Sequence, residues 1–324
     1  MFESNEINKR ISQKITIYEA SALIFVFIMA LYFLFTNSGS YWDYKVFLLT
    51  AQGDFENYYY GYWLLPIFKA LSYLPFNISY LFWILLNVSG VVFAARVFNG
   101  ICTAALLSYQ MSFTLFWGQI SGIICGFLGL FWWAIHHKKW ALAGFAMLMV
   151  AAKPQTGGMF VLLLWVMAKV KWKQKLFVLI VPFCGLVLSL VSYPGWIMGV
   201  ISRMDGLITW GNISLWQWIG PYALILFLPL LIIPLSDQKR FFALISAGIL
   251  TIPYFLQTDL LTLFVFPVGI IPILLGYLPA IMVPFMGYDG QHSGFIVPLF
   301  VYFWILIPEI RIWNNSRKLK NQPE

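Results

Sequence analysis

The chain has 324 residues, of which 61 % are hydrophobic and 10 % charged, and its mean hydropathy is +0.82. A soluble globular domain carries about 45–50 % apolar and about 25 % charged residues, so this composition excludes that class. The net charge of +8 raises the question of nucleic acid. The basic residues flank apolar runs, however, which makes them a topology signal, and no nucleic-acid partner is expected.

Unbroken apolar runs replace the alternation that a β-barrel would show. They predict an all-α, polytopic helical membrane protein with about 10–12 transmembrane segments, most of them near the length needed to cross about 30 Å of hydrocarbon. Apolar segments are read at about 17–36, 78–95, 101–117, 119–135, 140–152, 156–168, 175–192, 219–235, 241–257, 260–272, 274–286 and 294–310. The chain is expected to form one integral membrane domain over 1–324, with outer loops at about 37–62 and 193–218.

Lys9, Arg10 and Lys14 precede a first run that is too long for a secretory signal and has no small-residue cleavage site after it, so a retained signal-anchor is expected. With the N-terminus inside, the inner side also collects Lys138, Lys139, the Lys169–Lys175 group, Lys239, Arg240 and the basic tail. Both termini are then cytoplasmic. The tail from Arg311 reads as short and disordered. The acids Asp43, Asp54, Glu56, Asp205, Asp259 and Asp289 fall on the outer side, where carboxylate chemistry would sit.

The stretch from Ser40 to Pro66 is the most polar one between apolar runs. It combines Asp43, Asp54 and Glu56 with Tyr41, Trp42, Tyr44, Tyr58, Tyr59, Tyr60, Tyr62 and Trp63. Acids among aromatic rings beside a membrane fit a polyhydroxy substrate or a headgroup. Asp43, held near the outer end of the first span, supports two readings: a general base that takes the proton of an acceptor hydroxyl, or the cap of a short helix beginning at Tyr44. Asp54 and Glu56 read as sugar or metal contacts or as solvation of the loop. No histidine accompanies them, so no metal site is expected.

Gln119 follows Trp117-Gly118 at an outer-facing turn. Segments 140–152 and 156–168 are too short to cross alone, and Lys153-Pro154-Gln155-Thr156-Gly157-Gly158 breaks the helix between them. Irregular backbone at membrane depth belongs inside protein or beside a polar cavity, and broken helices make room for a ligand. Lys153 there reads as a point charge for a phosphate or as a side chain snorkelling to the surface. Segment 193–218 reads as an interfacial helix with an aromatic belt of Trp196, Trp210, Trp216 and Trp218, or as a lid or acceptor site carrying Arg203 and Asp205. Asp259 opens a helix at another outer turn, as an N-cap or a site residue. His292 near Asp289 reads as a surface residue, and His136 and His137 as headgroup contacts. Cys102, Cys125 and Cys184 read as packing residues. Glycine loops of nucleotide type, zinc spacing and a nucleophile elbow are all missing, so no cofactor is expected and an activated sugar would come from the lipid phase.

Several landmarks carry a resemblance. They run from Asp43-Tyr44 through Tyr58-Tyr59-Tyr60, Leu74-Pro75, Trp83 and Asn87 to Gly118-Gln119, Ala143-Gly144 and Ala151-Ala152-Lys153-Pro154, with Pro253-Tyr254 and Thr258-Asp259-Leu260 later. In order and spacing the chain resembles the polyprenyl-phosphate-mannose-dependent mannosyltransferases of bacterial membranes, a family of GT-C type. The resemblance implies many transmembrane helices with short helices on the outer face. It also implies a polyprenyl-phosphate sugar donor, a glycolipid or glycan acceptor, and Asp43 as the general base. Lys153 occupies a matching Lys-Pro position, and Lys153, Gln119, Asp54, Glu56, Tyr59, Tyr60 and Asp259 are the expected substrate contacts. The chain departs from the GT-C pattern in lacking a second acid adjacent to the first, which favours a metal-independent mechanism. The competing expectation is a transporter or flippase for a lipid-linked sugar, although no internal repeat supports it.

Overall fold

The computed structural model describes residues 4–36, 38–203 and 211–320. These residues are predominantly helical and contain no strand, only an isolated bridge between Asn212 and Leu256. The protein is all-α and polytopic. Among the described residues four helical stretches are long and apolar enough to cross a membrane: Ile17–Thr36, Phe76–Phe98, Trp172–Ser192 and Ile270–Trp313. A fifth arises if the bent pair Tyr109–Trp117 and Ser121–His136, which meet at 115°, counts as one span. Much of the remaining apolar sequence forms shorter helices, because Pro and Gly interrupt it.

The chain folds as two compact units, the larger made of Phe2–Leu207 with Thr258–Ile273 and the smaller mainly of Ile208–Gln257 with Leu274–Glu324. The larger unit begins with α1 (Ser4–Ile11), α2 (Ile17–Thr36), α3 (Trp42–Ala51), α4 (Leu65–Ser72) and α5 (Phe76–Phe98). It continues with α6 (Cys102–Leu107), α7 (Tyr109–Trp117), α8 (Ser121–His136), α9 (Trp140–Val150), α10 (Met159–Met167), α11 (Trp172–Ser192) and α12 (Trp196–Arg203). Helix α5 packs on α8, α8 on α9, and α9 on α11.

Glycines set the distance between α5 and α8. A Cβ at Gly90 would lie 2.2 Å from the Gly122 carbonyl oxygen, and one at Gly122 would lie 2.5 Å from that of Asn87. A Cβ at Gly126 would stand 2.7 Å from the Gly90 Cα. Where lipid is as apolar as leucine, helices associate through close packing, and small residues spaced four apart permit it. The approach lets Asn87, fully buried in α5, accept through Oδ1 from the backbone N–H of Gly122 at 2.9 Å and of Ile123 at 3.3 Å. It thereby caps the start of α8, whose first N–H groups have no partner within the helix.

The smaller unit has its own apolar core of Leu230, Ile233, Leu235, Ala243, Ala247, Tyr302 and Leu306. The tail expected to be disordered is instead helical to Lys320, as the end of the helix Ile296–Lys320. An ion pair, Lys239 to Glu309 at 2.5 Å, ties this helix to the helix Asp237–Thr251. In the same unit His292 is half-buried: its Nδ1 lies 2.5 Å from the Asn212 carbonyl and 3.2 Å from Gln217 Nε2, while Asp289 is 3.9 Å away and open to solvent. Cys102 and Cys125 are buried as expected of packing residues, whereas Cys184 lies on the exposed face of α11. The Nδ1 atoms of His136 and His137 lie within hydrogen-bond distance of the Trp132 and Trp133 carbonyls, one helical turn back.

Candidate active site

Three ties in the larger unit assemble the site. The Tyr41 N–H donates to the Phe116 carbonyl at 3.0 Å, which sets the start of α3 against the end of α7. Tyr41 takes φ 51°, a left-handed conformation that is costly for an aromatic residue, and α3 starts immediately after it. The Gly61 N–H donates to the Ala152 carbonyl at 2.9 Å and draws the tyrosine-rich loop onto the helix break. Trp83 Nε1 donates to the Gly118 carbonyl at 2.9 Å. Gly118 has φ +73°, and a Cβ there would meet the Tyr44 Cβ at 2.6 Å, so this turn needs glycine. Gln119 comes next, at the bend between α7 and α8.

These ties bring Asp43, Tyr60, Gln119, Lys153 and Asp259 into one network. Gln119 Nε2 donates to Asp43 Oδ2 at 2.7 Å. Its Oε1 accepts from Lys153 Nζ at 3.1 Å and from the Tyr60 hydroxyl at 3.2 Å. Lys153 Nζ also donates to Asp259 Oδ1 at 2.6 Å, and it lies 5.8 Å from the centre of the Tyr60 ring. Ser121 Oγ donates to Asp259 Oδ1 at 3.0 Å, and Thr156 Oγ1 donates to Oδ2 at 2.6 Å. Lys153 is 1 % exposed and Asp259 fully buried.

A buried ion pair holds only where good geometry and added hydrogen bonds offset the loss of water. The two hydroxyls on the Asp259 carboxylate and the Gln119 carbonyl on the ammonium supply them. Lys153 therefore does not snorkel, and the Asp259 side chain caps no helix but serves the ion pair. Its position is held locally: it lies in the 3₁₀ turn Gln257–Leu260, and its carbonyl accepts from Thr262 Oγ1 at 2.5 Å.

Asp43 stands in the first turn of α3, and its carboxylate is engaged with Gln119. The residue as a whole is part-exposed, yet protein crowds its carboxylate. That burial pushes the carboxyl up to about 6; Lys153 and the Gln119 hydrogen bond oppose the shift, and Asp259 adds to it. A carboxyl with this value is ionised near neutral pH and basic enough to accept a proton.

The other expected residues lie outside this network. Asp54 and Glu56 are exposed, and Asp54 Oδ1 accepts from the Glu56 N–H at 3.1 Å, a local turn contact. Asp54 also lines a small cavity of about 120 Å³ with Trp42, Lys45, Val46, Leu49 and Asn57. Tyr59 is half-buried. In the segment 193–218, Trp196 stacks on Tyr62 with ring centres 4.9 Å apart, and Arg203 Nη2 donates to the Tyr58 carbonyl at 3.2 Å. Asp205 and Trp210 lie outside the described residues. Among the described residues no group of three or more His, Cys, Asp or Glu side chains could hold a metal ion.

Ser121 and Thr156 are site residues that the sequence pattern does not mark. Each lies within three residues of a marked one, Gln119 or Lys153, on a polar turn, and that proximity is the only signal the sequence offers for them.

The model of glycosyltransferase family 87 matches residues 58–275, more than half of the chain. The chain belongs to glycosyltransferase family 87. The family match contains Tyr60, Gln119, Lys153 and Asp259 and begins after Asp43. No curated protein and no solved structure matches the chain. Membership of family 87 makes the protein a membrane glycosyltransferase, with a sugar donor and an acceptor, and so favours sugar transfer over the flippase alternative.

Proposed function

We propose that the protein moves one sugar, mannose, from a polyprenyl phosphate to an outward-facing glycolipid or glycan, with inversion at the anomeric carbon. The observation that carries this reading is the Asp43 carboxylate, held by one oxygen at 2.7 Å from Gln119 in a residue that is itself only part-buried. Asp43 takes the proton of the acceptor hydroxyl. The acceptor oxygen bonds to the anomeric carbon as the bond from that carbon to the phosphate oxygen breaks. The electron pair leaves with the lipid phosphate, a leaving group good enough to need no separate acid. A base of this kind contributes on the order of 10²–10⁴-fold.

Lys153 already donates to Asp259 and Gln119 and is 1 % exposed, which favours an action on the donor phosphate without direct contact. In this reading the phosphate sits on the Asp43 side of Gln119, and Lys153 acts on it through its field and through Gln119. Tyr59, half-buried, and the rim of the tyrosine-rich loop stack on sugar rings, while exposed Asp54 and Glu56 bind hydroxyls of the acceptor. The short helices α3, α4 and α12, of 8–10 residues, support a GT-C-like arrangement with the loop 37–62 on the outer face and both termini in the cytoplasm.

The test is transfer from radiolabelled polyprenyl-phosphate mannose to a membrane glycolipid extract in proteoliposomes, comparing native protein with Asp43→Asn. Transfer by the native protein that is lost in a folded variant supports the reading. Equal transfer by both removes Asp43 as the base. Absence of transfer by the native protein rejects this donor and acceptor pair.

A further inference from the structure

We propose that Lys153 and Asp259 are positioning residues, which lock the Gln119 amide in the one orientation that presents an N–H to Asp43. The inference rests on the reading of Asp43 as the base.

An ammonium has only donors, so the Gln119 atom 3.1 Å from Lys153 must be the carbonyl oxygen. The Tyr60 hydroxyl, 3.2 Å from the same atom, reinforces this choice. With Oε1 claimed on one side, Nε2 is left to face Asp43 and donates to it at 2.7 Å. A glutamine without these partners is free to turn its oxygen toward Asp43, where it would repel an ionised carboxylate.

Lys153 is in turn held by Asp259, and Asp259 by the hydroxyls of Ser121 and Thr156. Polarity therefore runs one way along the network, from the buried anion through the cation and the amide to the Asp43 carboxylate. The burial of Lys153 and Asp259, 1 % and 0 % exposed, fits a supporting role better than contact with a ligand.

Charge makes the proposal testable by sign. The groups that face Asp43 from neighbouring elements are Lys153, Asp259 and the Tyr80 phenol, whose hydroxyl donates to the Leu115 carbonyl. Lys45, on α3 itself, is exposed and donates to the Ser40 carbonyl. Removing the negative charge in Asp259→Asn lowers the pH at which Asp43 titrates. Removing the positive charge in Lys153→Met raises it. Gln119→Glu places a carboxylate against Asp43 and raises it further. Shifts on the order of half a pH unit or more are expected for charges this close in partly buried surroundings.

The readout is the protonated-carboxyl infrared band of the purified protein, followed against pH and assigned to Asp43 by its loss in Asp43→Asn. It needs no substrate. Alongside it, transfer of labelled polyprenyl-phosphate mannose is measured in the same variants. Opposite displacements of the band midpoint in Asp259→Asn and Lys153→Met, with matching displacement of the acid limb of transfer, support the lock. A midpoint unmoved in all three charge variants overturns it.

Should either single variant fail to fold, Gln119→Glu and the paired replacement Lys153→Met with Asp259→Leu still decide. The paired variant retains a buried apolar pair but removes the ammonium that fixes the Gln119 amide, leaving only the weaker hold of the Tyr60 hydroxyl on Oε1. It is expected to lose at least tenfold in kcat at saturating donor, and an unchanged kcat overturns the proposal. Transfer that survives in Asp43→Asn instead rejects the base reading, whatever the band does.

Discussion

Gln119 Nε2 lies 2.7 Å from Asp43 Oδ2, across 76 residues of sequence. The same amide accepts from Lys153, so the Asp43 carboxylate is linked through one side chain to a fully buried ion pair. The stability of that pair and the basicity of that carboxylate are therefore coupled properties.

Sugar transfer is expected to rise with pH through about 6, as Asp43 loses its proton. The pH dependence of kcat/KM in proteoliposomes checks this. A rate that stays flat from about pH 5 to about pH 8 would remove a carboxyl with a raised value from the rate-determining chemistry.

Folding stability carries the same group with the opposite sense. The folded-state value of Asp43 is raised above the ordinary carboxylate range, so the folded protein holds its proton more tightly than the unfolded chain does. The contribution of Asp43 is fully present below about pH 4 and is lost as pH rises to about 6. Thermal unfolding of native protein and Asp43→Asn in detergent across this window should show a smaller downward slope in the variant. Parallel curves would contradict the raised value.

Breaking the Lys153–Asp259 pair from one side strands a buried charge. Lys153→Met and Asp259→Leu are each expected to cost about 3–5 kcal/mol, while the two together cost much less. A double-mutant cycle read by unfolding measures the difference. Additive costs would mean that the two charges do not depend on each other.

The close approach of α5 and α8 should tolerate no added methyl. Gly90→Ala and Gly122→Ala would press a Cβ to 2.2 Å and 2.5 Å from backbone carbonyl oxygens, so each is expected to destabilise by about 1–3 kcal/mol. Unchanged melting in both would show that the helices can part freely.

Asn87→Ala removes the acceptor for the Gly122 and Ile123 N–H groups and is expected to cost about 0.5–2 kcal/mol. The loosened start of α8 also carries Gln119 with it, so transfer should fall more than stability alone explains. Comparing residual activity at a temperature where both proteins stay folded checks this; equal activity would separate the cap from the site.

Part of the candidate site is legible in the sequence. Asp43, Gln119, Lys153 and Asp259 stand out because a polar group beside a long apolar run is costly and has to be explained. Asp54, Glu56 and Tyr59 stand out for the same reason, yet they lie apart from the network, because charge in a loop satisfied by water looks no different in sequence. Ser121 and Thr156 are hidden there, since a hydroxyl beside a helix start usually bonds the local backbone. From Arg311 to Lys320 the tail is helical although its polarity suggests disorder, because polarity removes burial without removing helix propensity, and these residues are compatible with helix.

The sequence by itself determined the solvent and the class: run length and apolar content commit the backbone to helices in lipid, since there each N–H and C=O must find its partner nearby. It also marked the breaks at Gly118 and Pro154, where backbone chemistry interrupts those helices. Only the tertiary structure decided which broken ends meet. Lys153 pairs with Asp259 across 106 residues, and Asp43 with Gln119 across 76, because glycines bring α5 and α8 together and buried N–H groups tie the loops to the helix ends. Long-range pairing of this kind depends on the packing of whole helices, and no local pattern of side chains encodes it.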